Sequence, residues 1–350
     1  MRPLSILNRH CGPVFHRAYT TKASSSITSA LKAHPPKIIA DYLTPMPSHL
    51  LTTTINDLLY PLPTESKISS PPRALPQGHH LVYFPIQLPP SRLIPDGADP
   101  DHSPGPPYTR RVWAGGEVIF RGDGMKLDAR PAICQETIGD VTLRGKEGEE
   151  KVFVDVWRKY GTGLEIEGRT EWDIEERRTL VFMRDEQGSA SSPSPSPSPP
   201  RLLKCKVSSY QAPGSSLLTP ISDPQPPSYS ISLTPSPIHL FHFSALSFNA
   251  HSIHFDPQFA REVDGHRALL VHGPFTLALM LRFLNDRIGA GVAVYKFSYR
   301  NYAPLYVNER MTINIRKVSK EDGAEARWDV WIEGPEGGMA VKGTAAVVSK

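Results

Sequence analysis

Between Phe243 and Thr276 the chain places Asn249, His251, His254, Asp256 and His266 ahead of His272-Gly273-Pro274, its densest run of groups able to do chemistry. Imidazole is the side chain best suited to moving a proton near neutral pH. Asn249 and His254 are five positions apart with Pro257 soon after, so a loop can turn both into one pocket. An amide can hold a water or hydroxyl in place but cannot take its proton. Gly273 opens an apolar run that reads as a helix, whose first N–H groups lack internal partners and lie at the positive end of the helix dipole. Such donors stabilise the oxyanion of a polarised carbonyl, and glycine lets that carbonyl approach. No Ser or Cys nucleophile has an evident base. The set therefore suits proton abstraction beside a carbonyl, or addition of water across an enoyl double bond. His251 and His254 could begin a metal site, but no further ligand set accompanies them and no metal is expected.

These residues must be positioned by what surrounds them. Pro274 to Asn285 is apolar on nearly every side, so other elements must wrap it. Strands are expected at Ile238–Ser247, Ala293–Tyr299, Met311–Val318, Arg327–Glu333 and Met339–Val348, with a helical turn at Pro257–Glu262. The picture is one long helix held in an antiparallel sheet. The first half offers a helix at Ser48–Leu59 and strand-like runs at Glu117–Phe120, Ala132–Val141, Lys151–Lys159 and Thr179–Met183. It has no comparable central helix and reads as a degenerate copy of the same unit. Between helix and strands lies a proline-crowded loop, Pro61–Pro107, with an aromatic patch at Gly78–Phe84; loops this long are usually functional or disordered.

The 36 prolines in 350 residues cluster in a few stretches, which favours two folded units and a linker. Ser189 to Pro200 is Ser/Pro low-complexity sequence and a second proline-rich run follows, placing the linker at 188–232. The net charge of +4 comes largely from the first forty residues, which hold no acid, so no nucleic-acid partner is expected. Basic, Ser/Thr-rich and acid-free, residues 1–38 have the composition of a mitochondrial transit peptide. No apolar run approaches ~18 residues, so no membrane span is expected. Cys134 and Cys205, with Cys11 in the import segment, form neither a zinc framework nor a disulfide scaffold.

The run Phe248-Asn249-Ala250-His251-Ser252-Ile253-His254, then Phe255-Asp256-Pro257-Gln258-Phe259-Ala260, resembles the signature of the MaoC-like, (R)-specific enoyl-thioester hydratases of the hot dog fold. On that resemblance the family's catalytic histidine falls on His254 and its Leu-x-His-Gly on Leu270-Val271-His272-Gly273. Where the wider family keeps an aspartate this chain has Asn249. One subgroup is similar in three places: the Phe-Asn-x-His-x-Ile-His run, Arg-x-Trp-Ala-Gly-Gly at Arg111–Gly116, and Gly-His-x-Leu-x-Tyr-Phe at Gly78–Phe84. It comprises fungal mitochondrial 3-hydroxyacyl-thioester dehydratases and bacterial mesaconyl-CoA hydratases, and in it Asn at this position is usual.

The resemblance implies an α+β double hot dog: a degenerate N-terminal unit at 40–187 and a catalytic C-terminal unit at 233–350. It also implies interconversion of (3R)-hydroxyacyl and trans-2-enoyl thioesters in the mitochondrial matrix, during fatty-acid synthesis. His254, Asn249 and Gly273 would be catalytic. His272 would contact substrate, while Trp113, Tyr83 and Phe84 would line an acyl tunnel or pack an interface between the units. Water and the thioester supply every atom, so no cofactor is implied. The carrier would be acyl carrier protein or CoA, and the protein a monomer or homodimer. A hot dog thioesterase or a non-catalytic acyl-thioester-binding protein is the alternative.

Overall fold

The computed structural model describes residues 26–60, 67–70, 72–184, 225–318 and 326–349. Each half contributes five strands: β1 (Lys37–Tyr42), β2 (Arg110–Phe120), β3 (Pro131–Arg144), β4 (Lys151–Thr162) and β5 (Ile174–Met183), then β6 (Tyr229–Leu233), β7 (Val292–Asn301), β8 (Met311–Val318), β9 (Ala326–Glu333) and β10 (Met339–Ser349). They pair antiparallel in one sheet of order β1-β3-β4-β5-β2-β7-β10-β9-β8-β6. Within each half the strands run first, third, fourth, fifth, second. The repeat that element order suggested is thus a repeat of topology, and the two expected sheets meet edge to edge at β2 and β7.

That seam explains the glycines of Arg111–Gly116. A Cβ on Gly115 would lie 2.4 Å from the Tyr299 carbonyl oxygen, and one on Gly116 would lie 2.2 Å from that of Arg177. Only bare backbone lets β2 bulge at Trp113/Gly115 and still pair with β5 and β7.

Three helices accompany the sheet: α1 (Pro45–Leu59), α2 (Pro237–Ser247) and α3 (Gly273–Asn285). In α3 Phe275, Leu277, Leu279, Met280, Leu281, Phe283 and Leu284 are all at most 1% exposed, against β2, β7, β8 and β9. At roughly 1.5–3 kcal/mol per fully buried large apolar side chain, this helix anchors the C-terminal half. The N-terminal half has no helix so enclosed among the described residues: α1 packs on α2, β6 and a 3₁₀ turn at His79–Val82.

Several sequence expectations are corrected. Ile238–Ser247, expected as a strand, is α2. Its period is helical, with Leu240, Phe243 and Ser244 buried, Pro237 in the first turn, and Ser236 with His239 closing a capping box. The turn expected at Pro257–Glu262 is a single π-helical turn at Phe259–Val263. Of the segment expected to serve import, residues 1–25 lie outside the described residues, but 26–38 belong to the fold. Residues 26–32 are helical, Leu31 is buried, and β1 begins at Lys37. Of the expected linker, 188–224 lies outside the described residues, whereas Tyr229–Leu233 is an edge strand paired with β8. No described helix is long and apolar enough to cross a membrane.

Candidate active site

α2 ends on Phe248, whose left-handed backbone (φ 50°) turns the chain into the loop that carries Asn249 and His254. Asn249 Oδ1 accepts the His251 N–H at 3.0 Å, an Asx turn, and its own N–H donates to Ser244 O at 2.8 Å. With its oxygen so engaged, the Asn249 amide is left with its N–H groups as the donors it can offer a ligand. A 3₁₀ turn at Ser252–His254 follows. The His254 ring nitrogen Nδ1 lies 2.8 Å from the Leu270 carbonyl. A carbonyl only accepts, so Nδ1 carries the proton and Nε2 the lone pair. Burial, then the neighbouring His272 and His251, hold this ring well below its ordinary pKa. It is a neutral base at physiological pH.

His272 precedes α3 and stacks on His254, with ring centroids 3.7 Å apart and planes at 23°. Its Nε2 meets Ser244 Oγ at 2.8 Å, and burial pushes its pKa down to about 3. His272 therefore supports the His254 ring. The first helical bond of α3 runs from Thr276 N to His272 O. The N–H groups of Gly273 and Phe275 stand ahead of the ladder, and Pro274 has none. A Cβ on Gly273 would lie 3.0 Å from Trp113 Cγ and 3.3 Å from Asn301 Nδ2. The glycine thus makes room for a tryptophan from the other half, not simply for a substrate carbonyl. Trp113 is fixed in turn: its Nε1–H donates to the Tyr299 hydroxyl at 2.8 Å, and its carbonyl accepts from Asn301 Nδ2 at 2.8 Å.

A cavity of about 150 Å³ lies where the halves meet. Asn249, Ala250 and Pro274 line it from the C-terminal half; Trp113, Tyr83 and Phe84 line it from the N-terminal half. The aromatic residues singled out in the sequence are thus together in one wall. Tyr83 uses its hydroxyl structurally, donating to the Thr44 carbonyl at 2.5 Å. His254 and His272 are buried and are not among the wall residues. Sequence reasoning placed Asn249 and His254 in one pocket; the structure puts the amide in the cavity wall and buries the imidazole outside that wall.

Sequence reasoning missed the rest of the wall. Asp99, His102, Glu136, Arg158 and Arg178 also line the cavity. Directly opposed positions on β3, β4 and β5 carry Glu136, Arg158 and Glu176 in a row of alternating charge. Arg158 Nε is 3.1 Å from Glu136, and Arg178 is 2.7 Å from Glu176. Burial would raise both carboxyls, yet His102 and Arg158 hold Glu136, and Arg178 and His80 hold Glu176, far below the usual carboxylate range. The oxygens and nitrogens of Asp99, His102 and Glu136 lie within 4.8 Å of one another, a spacing that would also suit a cation. Lys37, 3.0 Å from Asp99, and Arg158 already balance these carboxylates.

The loop before β2 ties the halves together at the site. Ser252 N donates to Asp96 O at 2.8 Å, and His251 Nε2 is 3.3 Å from Asp96 Oδ2. A Cβ on Gly97 (φ +85°) would lie 1.9 Å from the Ala250 carbonyl oxygen. Only glycine permits this clamp.

Two sheets of matching topology joined edge to edge, one enclosing a buried helix beside a histidine loop, make this a MaoC-like hot dog protein. The fold is similar to a MaoC-like dehydratase from Phytophthora capsici, with a TM-score of 0.60 at 14% identity over 92% of this chain and 98% of that one. The family model for hydroxyacyl-thioester dehydratase type 2 matches residues 78–307, and the chain belongs to that family. It is similar to the mesaconyl-C(4)-CoA hydratase of Chloroflexus aurantiacus, 29% identical over 276 residues (77% of this chain, 82% of the relative). It is also similar to the mitochondrial hydroxyacyl-thioester dehydratase type 2 of Schizosaccharomyces pombe, 24% identical over 303 residues (80% and 90%).

Proposed function

We propose that the protein interconverts (3R)-hydroxyacyl and trans-2-enoyl thioesters, acting in mitochondrial fatty-acid synthesis. The observation that carries this reading is the neutral His254, its tautomer fixed by Leu270 O and its ring stacked on His272 at the start of α3. Both named relatives are hydro-lyases of acyl thioesters, and one of them is mitochondrial. The acid-free, basic N-terminus supports import into the matrix.

In dehydration the N–H donors of Gly273 and Phe275 stabilise negative charge growing on the thioester oxygen. His254 Nε2 takes the C2 proton, for which a base held neutral is suited. The Asn249 amide holds the departing hydroxyl, or the attacking water in the reverse direction. Trp113, Tyr83 and Phe84 enclose the acyl group, whose carrier is CoA or acyl carrier protein.

The test is an assay of the full chain with a trans-2-enoyl thioester, following enoyl absorbance and free thiol together. The proposal expects reversible loss of absorbance without thiol release. Thiol release without hydration would make the protein a thioesterase, and binding with neither signal an acyl-thioester-binding module.

A further inference from the structure

We infer that His102, backed by Glu136, is a second proton carrier in this site, the acid that protonates the departing hydroxyl while His254 removes the C2 proton. This rests on the dehydratase reading above. Dehydration needs a base at C2 and an acid at the C3 hydroxyl. Asn249 can donate hydrogen bonds but cannot deliver a proton.

Among the described residues of the cavity wall, His102 is the one imidazole. It arrives on the segment that clamps the catalytic loop. Asp96 and Gly97 grip residues 250–252, and a 3₁₀ turn at Pro100–His102 then brings the ring to the wall that Asn249 shares. His102 Nε2 lies 2.8 Å from Glu136 Oε1, and Arg158 Nε sits 3.1 Å from that carboxylate's other oxygen. An ionised carboxylate only accepts, so Nε2 carries a proton and Nδ1 is the ring nitrogen left to exchange one with substrate. This carboxylate–histidine arrangement orients an acid or base. Lys37 and Arg158 supply positive charge beside Asp99 and Glu136, so both carboxylates already have cationic partners.

The C2–H bond breaks, its proton passing to His254 Nε2 and its electron pair forming the C2=C3 bond. The C3–O bond breaks, and the oxygen takes a proton from Nδ1 of the protonated His102 ring and leaves as water. His254 ends protonated and His102 neutral, and exchange with solvent restores both. A route through one histidine would instead have His254 carry the same proton from C2 to the hydroxyl.

A pair of substrates separates the two routes. Chloride leaves without being protonated, so elimination from (3R)-3-chlorobutyryl-CoA needs the base but no acid. For His102→Gln the expected result is a fall in kcat on (3R)-3-hydroxybutyryl-CoA of roughly 10²-fold or more, with elimination of chloride within about threefold of the unsubstituted protein. His102→Asn carries the same comparison should the Gln variant fail to fold. Unchanged dehydration, or an equal fall on both substrates, would overturn the inference and leave His102 structural. Failure of the unsubstituted protein on both substrates would instead refute the dehydratase reading itself.

Discussion

In the C-terminal half the sheet closes on α3, an almost wholly apolar helix, and the polar groups gather at that helix's start, where His272 stacks on His254. In the N-terminal half the corresponding strands turn Glu136, Arg158 and Glu176 inward, and a loop containing Gly97 and His102 crosses to the other half's histidine loop. One half uses its interior to fix a pair of imidazoles at a helix start; the other uses it to build a charged wall. The half without an enclosed helix is therefore no passive copy, because the cavity is formed by both.

The sharpest way to break this comparison is to cut the charged row. Arg158→Met leaves Glu136 without its guanidinium, and a loss of about 3–5 kcal/mol in unfolding free energy is expected from urea titration. An unchanged midpoint would mean the row is not held as an ion network. Gly97→Ala, whose Cβ would meet the Ala250 carbonyl, should cost about 1–3 kcal/mol and lower kcat by displacing the catalytic loop. Retention of full activity would show that the clamp does not position that loop.

Acid should weaken both halves. His79 in one and His272 in the other are each pushed down to about 3, chiefly by burial. The unfolded chain protonates these groups near their ordinary pKa while the folded chain does not, so stability falls as pH drops below about 6.5, by about 1.4 kcal/mol per pH unit for each such histidine, until the folded values are reached. Glu136 and Glu176, depressed in the folded state, add to this below their ordinary range. Urea titrations at pH 7, 6 and 5 check the slope, and a pH-independent midpoint would contradict it. The smallest effect is expected for Asn249→Asp, which keeps the acceptor for the His251 N–H. Its kcat should stay within about tenfold, the scale of one hydrogen bond. A far larger loss would give the amide donors a greater part than positioning.

Much of this was legible in the chain. The eight longer strands and the apolar helix followed from periodicity, and the helix start and its histidine loop from residue type and spacing. The edge strands β1 and β6 were not legible. At six and five residues, they bury only isolated positions and alternate too briefly to stand out. α2 read as a strand because Leu240, Phe241 and Phe243 are apolar and close together, while the exposed Phe241 hides the helical stripe. The charged wall left a trace that went unread: Glu136 falls in phase with buried Ala132 and Cys134, Arg158 with Val152, Val154 and Val156, and Glu176 with Ile174. A charge on the inward phase of three strands points to a buried network. That Gly97 clamps the histidine loop could not be read at all, because the contact joins positions about 150 residues apart in the chain through tertiary packing.

The most direct measurement of the central claim compares His254→Gln with the unsubstituted protein in hydration of a trans-2-enoyl thioester, with folding checked by the urea midpoint. Removing the base should lower kcat by roughly 10²–10⁴-fold while the chain stays folded. A folded His254→Gln protein that still hydrates at the original rate would contradict the placement of the reaction centre in the C-terminal loop.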